Sequence, residues 1–182
     1  RRVARRLADL GIPIVRTLRG GALFEGADAM WLDDQSVMVG KGLRTNAEAV
    51  TQIRAALEPM GVETLEVDLP FGTMHFMGLL RIVDKGMAVC WWRRTPFAAV
   101  RALEARGCEI VWLPEGDDVD LNRGLNFVTL GPRKILMVAG YGSVPATFEA
   151  AGIECVTVDC SELVKAAGAI GCLTGIPHRE AV

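Results

Sequence analysis

Three kinds of side chain stand in settings where they could do chemistry. Cys172 lies in the run Gly168-Ala169-Ile170-Gly171-Cys172-Leu173-Thr174-Gly175, among small residues that leave the backbone free to approach a ligand. A structural cysteine is normally flanked by bulky core partners. His75 lies in residues 71–78, FGTMHFMG, a loop leading into a strand, and Glu25 and Asp28 flank small residues in FEGAD at 24–28. A thiol, an imidazole and a carboxylate are the groups from which nucleophilic catalysis is assembled. Each alone would be structural by default; together, before or after the first strands of successive units, they form a candidate constellation.

The elements that must position them repeat along the chain. Residues 29–32 and 36–39 read as two short strands around the turn Asp33-Asp34-Gln35, followed by a helix over about 46–60 capped by Asn46, the stop Gly61 and a strand at 64–67. The order recurs as strands at 79–83 and 87–91, a helix at 96–106, Gly107 and a strand at 109–113. It recurs again as strands at 126–130 and 134–139, a helix at 145–151, Gly152 and a strand at 154–158. Before these come an amphipathic helix over 1–10, with Val3, Leu7 and Leu10 on one face, then Gly11 and a predicted strand at 12–17. After them come a short helix near 161–167 and an apolar stretch at 170–174. The pattern is three β-β-α-β units near 28–68, 78–113 and 125–158, spaced about 48 residues apart, with the last half of a fourth ahead of them. Such units bury their sheets only by stacking or closing into a ring, where equivalent positions converge on the axis.

Composition narrows the function classes. The chain has 182 residues, 51% hydrophobic and 23% charged, with a net charge of −2. That is one domain's worth of ordinary globular sequence, without the positive field that a nucleic-acid grip needs. No apolar run reaches the ~20 residues that cross a bilayer, and no signal-peptide pattern opens the chain. Five cysteines without a CxxC pair, beside only two histidines, argue against a disulfide scaffold or a zinc site and for a reducing cytoplasm. A competing motif, Gly140-Tyr141-Gly142 with Asp159 19 residues beyond Gly140, has the outline of a dinucleotide-binding loop. Pro145 stands where the third glycine belongs, and only 23 residues follow Asp159, so a glycine-rich turn is the better reading.

FEGAD at 24–28, GLRTN at 42–46, GTMHFMG at 72–78, LNFVTLGP at 125–132 and GCLTGIPHR at 171–179 occur together, in order, over nearly the whole chain. In this the chain resembles the pentein superfamily of guanidino-group-modifying enzymes: arginine deiminases, dimethylarginine dimethylaminohydrolases and amidinotransferases. The resemblance implies an α/β propeller built from ββαβ modules around a pseudo-fivefold axis, here about three and a half of five in one domain, 1–182. It implies a cysteine-dependent hydrolase of guanidino compounds working through a covalent thiouronium intermediate, with no metal or organic cofactor. Cys172 becomes the nucleophile, His75 the general acid and base, and Glu25 the acid that hydrogen-bonds the substrate nitrogens. Asp28 supports the same motif on the substrate-binding side, and Arg44 matches an arginine that clamps the substrate's carboxylate.

Two departures qualify the match. Met77 stands where deiminases and amidinotransferases carry an aspartate two residues after the histidine; the dimethylarginine hydrolases also lack it, so the chain leans toward that branch. The family's early substrate-binding aspartate has no counterpart, since the chain begins 24 residues before Glu25 and the one earlier acid, Asp9, falls in the N-terminal helix. The expectation is either upstream modules in a longer polypeptide or a shortened pentein with altered chemistry. The alternatives kept open are an amidinotransferase, and a non-catalytic shortened pentein whose open sheet edges are covered by a second copy. His178 is read as a tail residue. The partner expected on the main reading is a small guanidino substrate, not nucleic acid or membrane.

Overall fold

The computed structural model describes residues 2–116, 124–140 and 142–176. Each predicted β-β-α-β unit forms a three-stranded sheet of its own. The first contains β1 (Ala29–Asp33), β2 (Ser36–Lys41) and β3 (Glu63–Asp68), with helix α2 (Ala47–Leu57) crossing between the last two. The second contains β4 (Leu80–Asp84), β5 (Met87–Trp91) and β6 (Glu109–Leu113) with α3 (Phe97–Glu104). The third contains β7 (Val128–Gly131), β8 (Lys134–Val138) and β9 (Glu154–Val158) with α4 (Val144–Ala150). In every sheet the hairpin strands are antiparallel and the third strand lies parallel to the second. A right-handed helical crossover is the usual way to join such parallel neighbours.

Local chemistry explains the repeat. Each first strand shifts register one residue before its turn, between Trp31 and Asp33, between Ile82 and Asp84, and between Thr129 and Gly131. Asp33 then closes the first turn, its Oδ1 accepting the Gln35 N–H at 2.9 Å and the Ser36 hydroxyl at 2.7 Å. Asn46 caps α2 through Oδ1, which accepts the Ala49 N–H at 3.0 Å. Gly61, Gly107 and Gly152 end the helical segments with φ between 66° and 76°, a conformation that penalises any Cβ.

The middle strands β2 and β5 are buried along nearly their whole length. They feed one hydrophobic cluster that runs through all three units, from Met38 through Phe76, Leu80 and Trp91 to Phe127 and Phe148. Phe127 and Phe148 meet edge to face with centroids 5.6 Å apart, and burying each ring contributes about 2 kcal/mol. At the surface, adjacent units are joined by arginines that bridge two acids of the preceding unit. Arg106 reaches Asp33 at 3.2 Å and Glu63 at 3.1 Å; Arg133 reaches Asp84 at 3.2 Å and Glu109 at 3.5 Å.

One element differs from expectation. Helix α1 (Arg2–Asp9) forms, but residues 12–17 join no sheet. Gly11 turns with φ 70° as the other corner glycines do, yet among the described residues no strand pairs with the segment, and Ile14 and Val15 are 50% and 67% exposed. β propensity alone does not make a strand without a ladder partner. After the third unit come a short helix α5 (Ser161–Val164) and a 3-10 turn at Ile170–Leu173.

Candidate functional site

Glu25 and His75 are presented by equivalent pieces of structure. Each adopts an extended conformation, φ −120° and ψ 133° for Glu25 and φ −141° and ψ 148° for His75. Each then opens a 3-10 turn, Gly26–Asp28 or Phe76–Gly78, whose last N–H returns to its carbonyl at 2.9 and 3.1 Å. One backbone device thus presents an acid in one unit and an imidazole in the next.

The two side chains meet. His75 Nε2 is 3.3 Å from Glu25 Oε2, and His75 Nδ1 is 3.6 Å from Asp28 Oδ1. Asp28 is completely buried. Its Oδ2 accepts the Thr45 hydroxyl at 2.6 Å and its Oδ1 accepts the Phe76 N–H at 2.9 Å, so the carboxylate ties the first unit's turn to the second's. The Thr45 hydroxyl oxygen in turn accepts the Glu25 N–H at 3.2 Å. The imidazole is therefore flanked by two carboxylates, one half-exposed and one locked in place. Such a ring can hold a proton on one nitrogen and deliver or collect it at the other.

Arg44 extends this end of the site, its Nη1 3.7 Å from Glu25 Oε1, with both side chains nearly half exposed. Its guanidinium faces solvent beside the carboxylate, a position from which it can turn to an incoming anion. A neighbouring strap keeps this wall in place: Asn46 Nδ2 donates to the Gly21 carbonyl at 2.8 Å and Asn46 Oδ1 accepts the Leu23 N–H at 3.2 Å, just ahead of Glu25.

Cys172 is the third residue of the turn Ile170–Leu173, and its thiol is exposed. Ala169, buried with Val138 and Cys160, pins the start of the turn against the third sheet. Gly171 packs against the second and third units: a Cβ there would lie 2.7 Å from Asn126 Oδ1 and 3.1 Å from both Met77 Cε and the Phe127 carbonyl oxygen. Any larger residue here would force the Asn126 amide or the Phe127 backbone to shift. Met77, two residues from His75 and buried, thus packs beside the nucleophile candidate rather than facing open solvent. Asn126 Nδ2 donates to Cys172 Sγ at 3.0 Å.

Three of the other thiols are set apart by burial. Burial pushes the Cys90 thiol up to about 12 and that of Cys155 up to about 11, and it raises Cys108 as well. A thiol held neutral in this way is a core side chain, not a nucleophile. Asp159, the acid of the dinucleotide outline, accepts the Ser161 N–H at 2.8 Å at the start of α5, which holds its carboxyl below the usual range. His178 lies outside the described residues.

Structure thus places Glu25, Asp28, His75 and Arg44 in one cluster and sets the Cys172 turn against Met77 of the His75 turn. Two participants were given no role from the sequence. Thr45 lies beside Arg44 within GLRTN. Asn126 lies within LNFVTLGP and, like Asp28, stands five residues before its strand's register shift, a correspondence visible only in the structure.

Comparison with known proteins follows this geometry. No protein-family model matches the chain. It is 29% identical over 168 residues to an N(G),N(G)-dimethylarginine dimethylaminohydrolase of Streptomyces coelicolor, covering 92% of the chain and 59% of that protein. It is 31% identical over 150 residues to the Mycobacterium tuberculosis protein of the same name, covering 82% of the chain and 48% of that protein. The chain therefore spans roughly half the length of these relatives. Its fold matches a cysteine-to-serine mutant of the Pseudomonas aeruginosa dimethylarginine dimethylaminohydrolase complexed with citrulline, with TM-score 0.67 and 23% identity over 84% of this chain and 55% of that one. In sequence and in the fold of its three β-β-α-β sheets the chain is similar to dimethylarginine dimethylaminohydrolases, which supports the pentein superfamily of guanidino-group-modifying enzymes.

Proposed function

We propose that this chain carries the nucleophile, the acid–base and the carboxylate of a cysteine-dependent hydrolase of guanidino compounds, of the arginine or methylarginine class. The observation that carries the reading is the His75 ring flanked by Glu25 and Asp28, with the exposed Cys172 thiol on a turn packed against the His75 turn. The citrulline complexed with a structural neighbour, a ureido compound, supports it. The names of the two relatives are those of hydrolases, and no feature of the site favours the transferase alternative.

A guanidinium carbon is a poor electrophile, and its positive charge beside the thiol favours the thiolate form. Glu25 accepts hydrogen bonds from the guanidinium nitrogens and keeps the carbon turned to Sγ. Cys172 Sγ forms a bond to that carbon; the C–N bond to the departing amine breaks as His75 gives the amine its proton. The remaining adduct is an S-alkylthiouronium. His75 then takes a proton from water, whose oxygen adds to the same carbon, and the C–S bond breaks to return the thiolate and release a ureido product. Arg44 turns from Glu25 toward the carboxylate of an amino-acid substrate. His75 serves as acid and then base, a reversal suited to an imidazole.

The architecture proposed with this function is a propeller in which the three sheets are consecutive blades of five, within one domain spanning 1–182. Support comes from side-by-side packing of the first strands, with Thr129 Oγ1 donating to the Ile82 carbonyl at 3.1 Å across the second boundary. A second copy covering open sheet edges is the matching proposal for self-association, and sedimentation as a stable monomer counts against it.

The test is product formation together with labelling. Incubation with arginine or methylated arginine should yield a ureido product, and a haloamidine electrophile should label Cys172; Cys172→Ala should abolish both. Equal product formation by the two proteins overturns the reading.

A further inference from the structure

The repeat places a polar side chain at the same point of the first and third units, and in each case that side chain serves the next functional turn. Asp28 and Asn126 stand five residues before the register shifts at Asp33 and Gly131, within the matching runs Gly26-Ala27-Asp28-Ala29 and Gly124-Leu125-Asn126-Phe127. Asp28 accepts the Phe76 N–H and holds the turn that begins at His75. Asn126 reaches across 46 residues to donate Nδ2–H to Cys172 Sγ at 3.0 Å. We propose that Asn126 is the positioning residue of the nucleophile, donating to Cys172 Sγ and favouring its thiolate; this rests on the reading of Cys172 as the nucleophile.

Two further observations separate this contact from incidental packing. Among the described residues Asn126 Oδ1 is buried without a hydrogen-bond partner, and the amide's one side-chain contact of this kind is Nδ2 to the sulfur. Gly171, beside the thiol, lacks the Cβ that would lie 2.7 Å from that same oxygen, so the backbone is shaped to admit the amide. The chemistry fits. An amide N–H is a donor that carries no charge of its own, so it steadies a sulfur anion without competing as a salt bridge for a cationic substrate. Asp28 and Asn126 differ as their targets do: a carboxylate meets backbone N–H and imidazole, and an amide donor meets sulfur.

The experiment reads thiol chemistry rather than turnover. The rate of iodoacetamide alkylation of Cys172 is followed against pH by peptide mapping, with Cys172→Ala as the blank. Asn126→Ala should shift the profile about one pH unit upward and slow alkylation at pH 7 about tenfold. Asn126→Asp keeps the shape and replaces the donor by an anion, so it should shift the profile further and remains informative if the alanine variant does not fold. A wild-type profile in folded Asn126→Ala or in Asn126→Asp overturns the proposal. A shifted profile in a protein that never turns over guanidines leaves this inference standing and removes the proposed function; turnover with an unshifted profile does the reverse.

Discussion

The two ends of the site are built differently. At the imidazole end, Asp28 is buried, accepts two hydrogen bonds and lies beside His75, while Thr45 ties the same carboxylate to the Glu25 backbone. Removing Asp28 leaves the Thr45 hydroxyl and the Phe76 N–H without their acceptor. At the sulfur end, Cys172 is exposed on a short turn, held at its Sγ by one amide and at its base by Ala169. The imidazole end is thus tied by more hydrogen bonds than the sulfur end. The difference suits the proposed function, in which a thiol that must reach a carbon needs room to move and a proton-transfer ring needs fixed geometry.

That contrast can be broken by substitution, and the largest effect should come from Asp28→Ala. It strands the Thr45 hydroxyl and the Phe76 N–H in the core, and should lower unfolding free energy by about 3 kcal/mol in urea titration. A loss near zero would mean that the network is ornamental.

A buried thiol sharpens the comparison through pH. Burial raises the Cys90 thiol to about 12 in the folded protein, above its unfolded value of about 8.5. The neutral form is favoured by folding, so its contribution is whole below about pH 8.5 and falls as pH rises toward 12. Stability should decline by up to about 1.4 kcal/mol per pH unit in that window. Cys90→Ala should flatten the slope; identical slopes in the two proteins would remove the assignment.

Smaller still is Thr45→Val, which keeps the shape but takes away a donor and an acceptor, for an expected loss of about 1 kcal/mol by thermal melting. Least of all is Cys172→Ala. On an exposed turn it should change stability by less than about 0.5 kcal/mol, and a large loss there would erase the distinction between the two ends.

Much of the fold was readable because its signals are local. Residues 87–91, 109–113 and 154–158 form strands with the bounds that pattern and turn chemistry predict, and Asn46 caps its helix as its residue type implies. The segment at 12–17 has the same apolar character and the same preceding glycine, yet joins no sheet, because a strand is defined by a neighbour that local sequence cannot supply. The site divides the same way. Cys172, His75 and Glu25 stood out through the small residues around them. Thr45 and Asn126 did not, since each gains meaning only from a hydrogen bond to a group at least 17 residues away.

By itself the amino-acid sequence determined the three β-β-α-β units, their corner glycines and the residue types available for guanidine chemistry, because strand period, turn preference and capping act within a few residues. Only the tertiary structure decided that His75 lies between Glu25 and Asp28, that Met77 packs on the Cys172 turn, and that Asn126 donates to the sulfur. These contacts join different units, and their distances depend on how the sheets pack against one another rather than on any local preference of the chain.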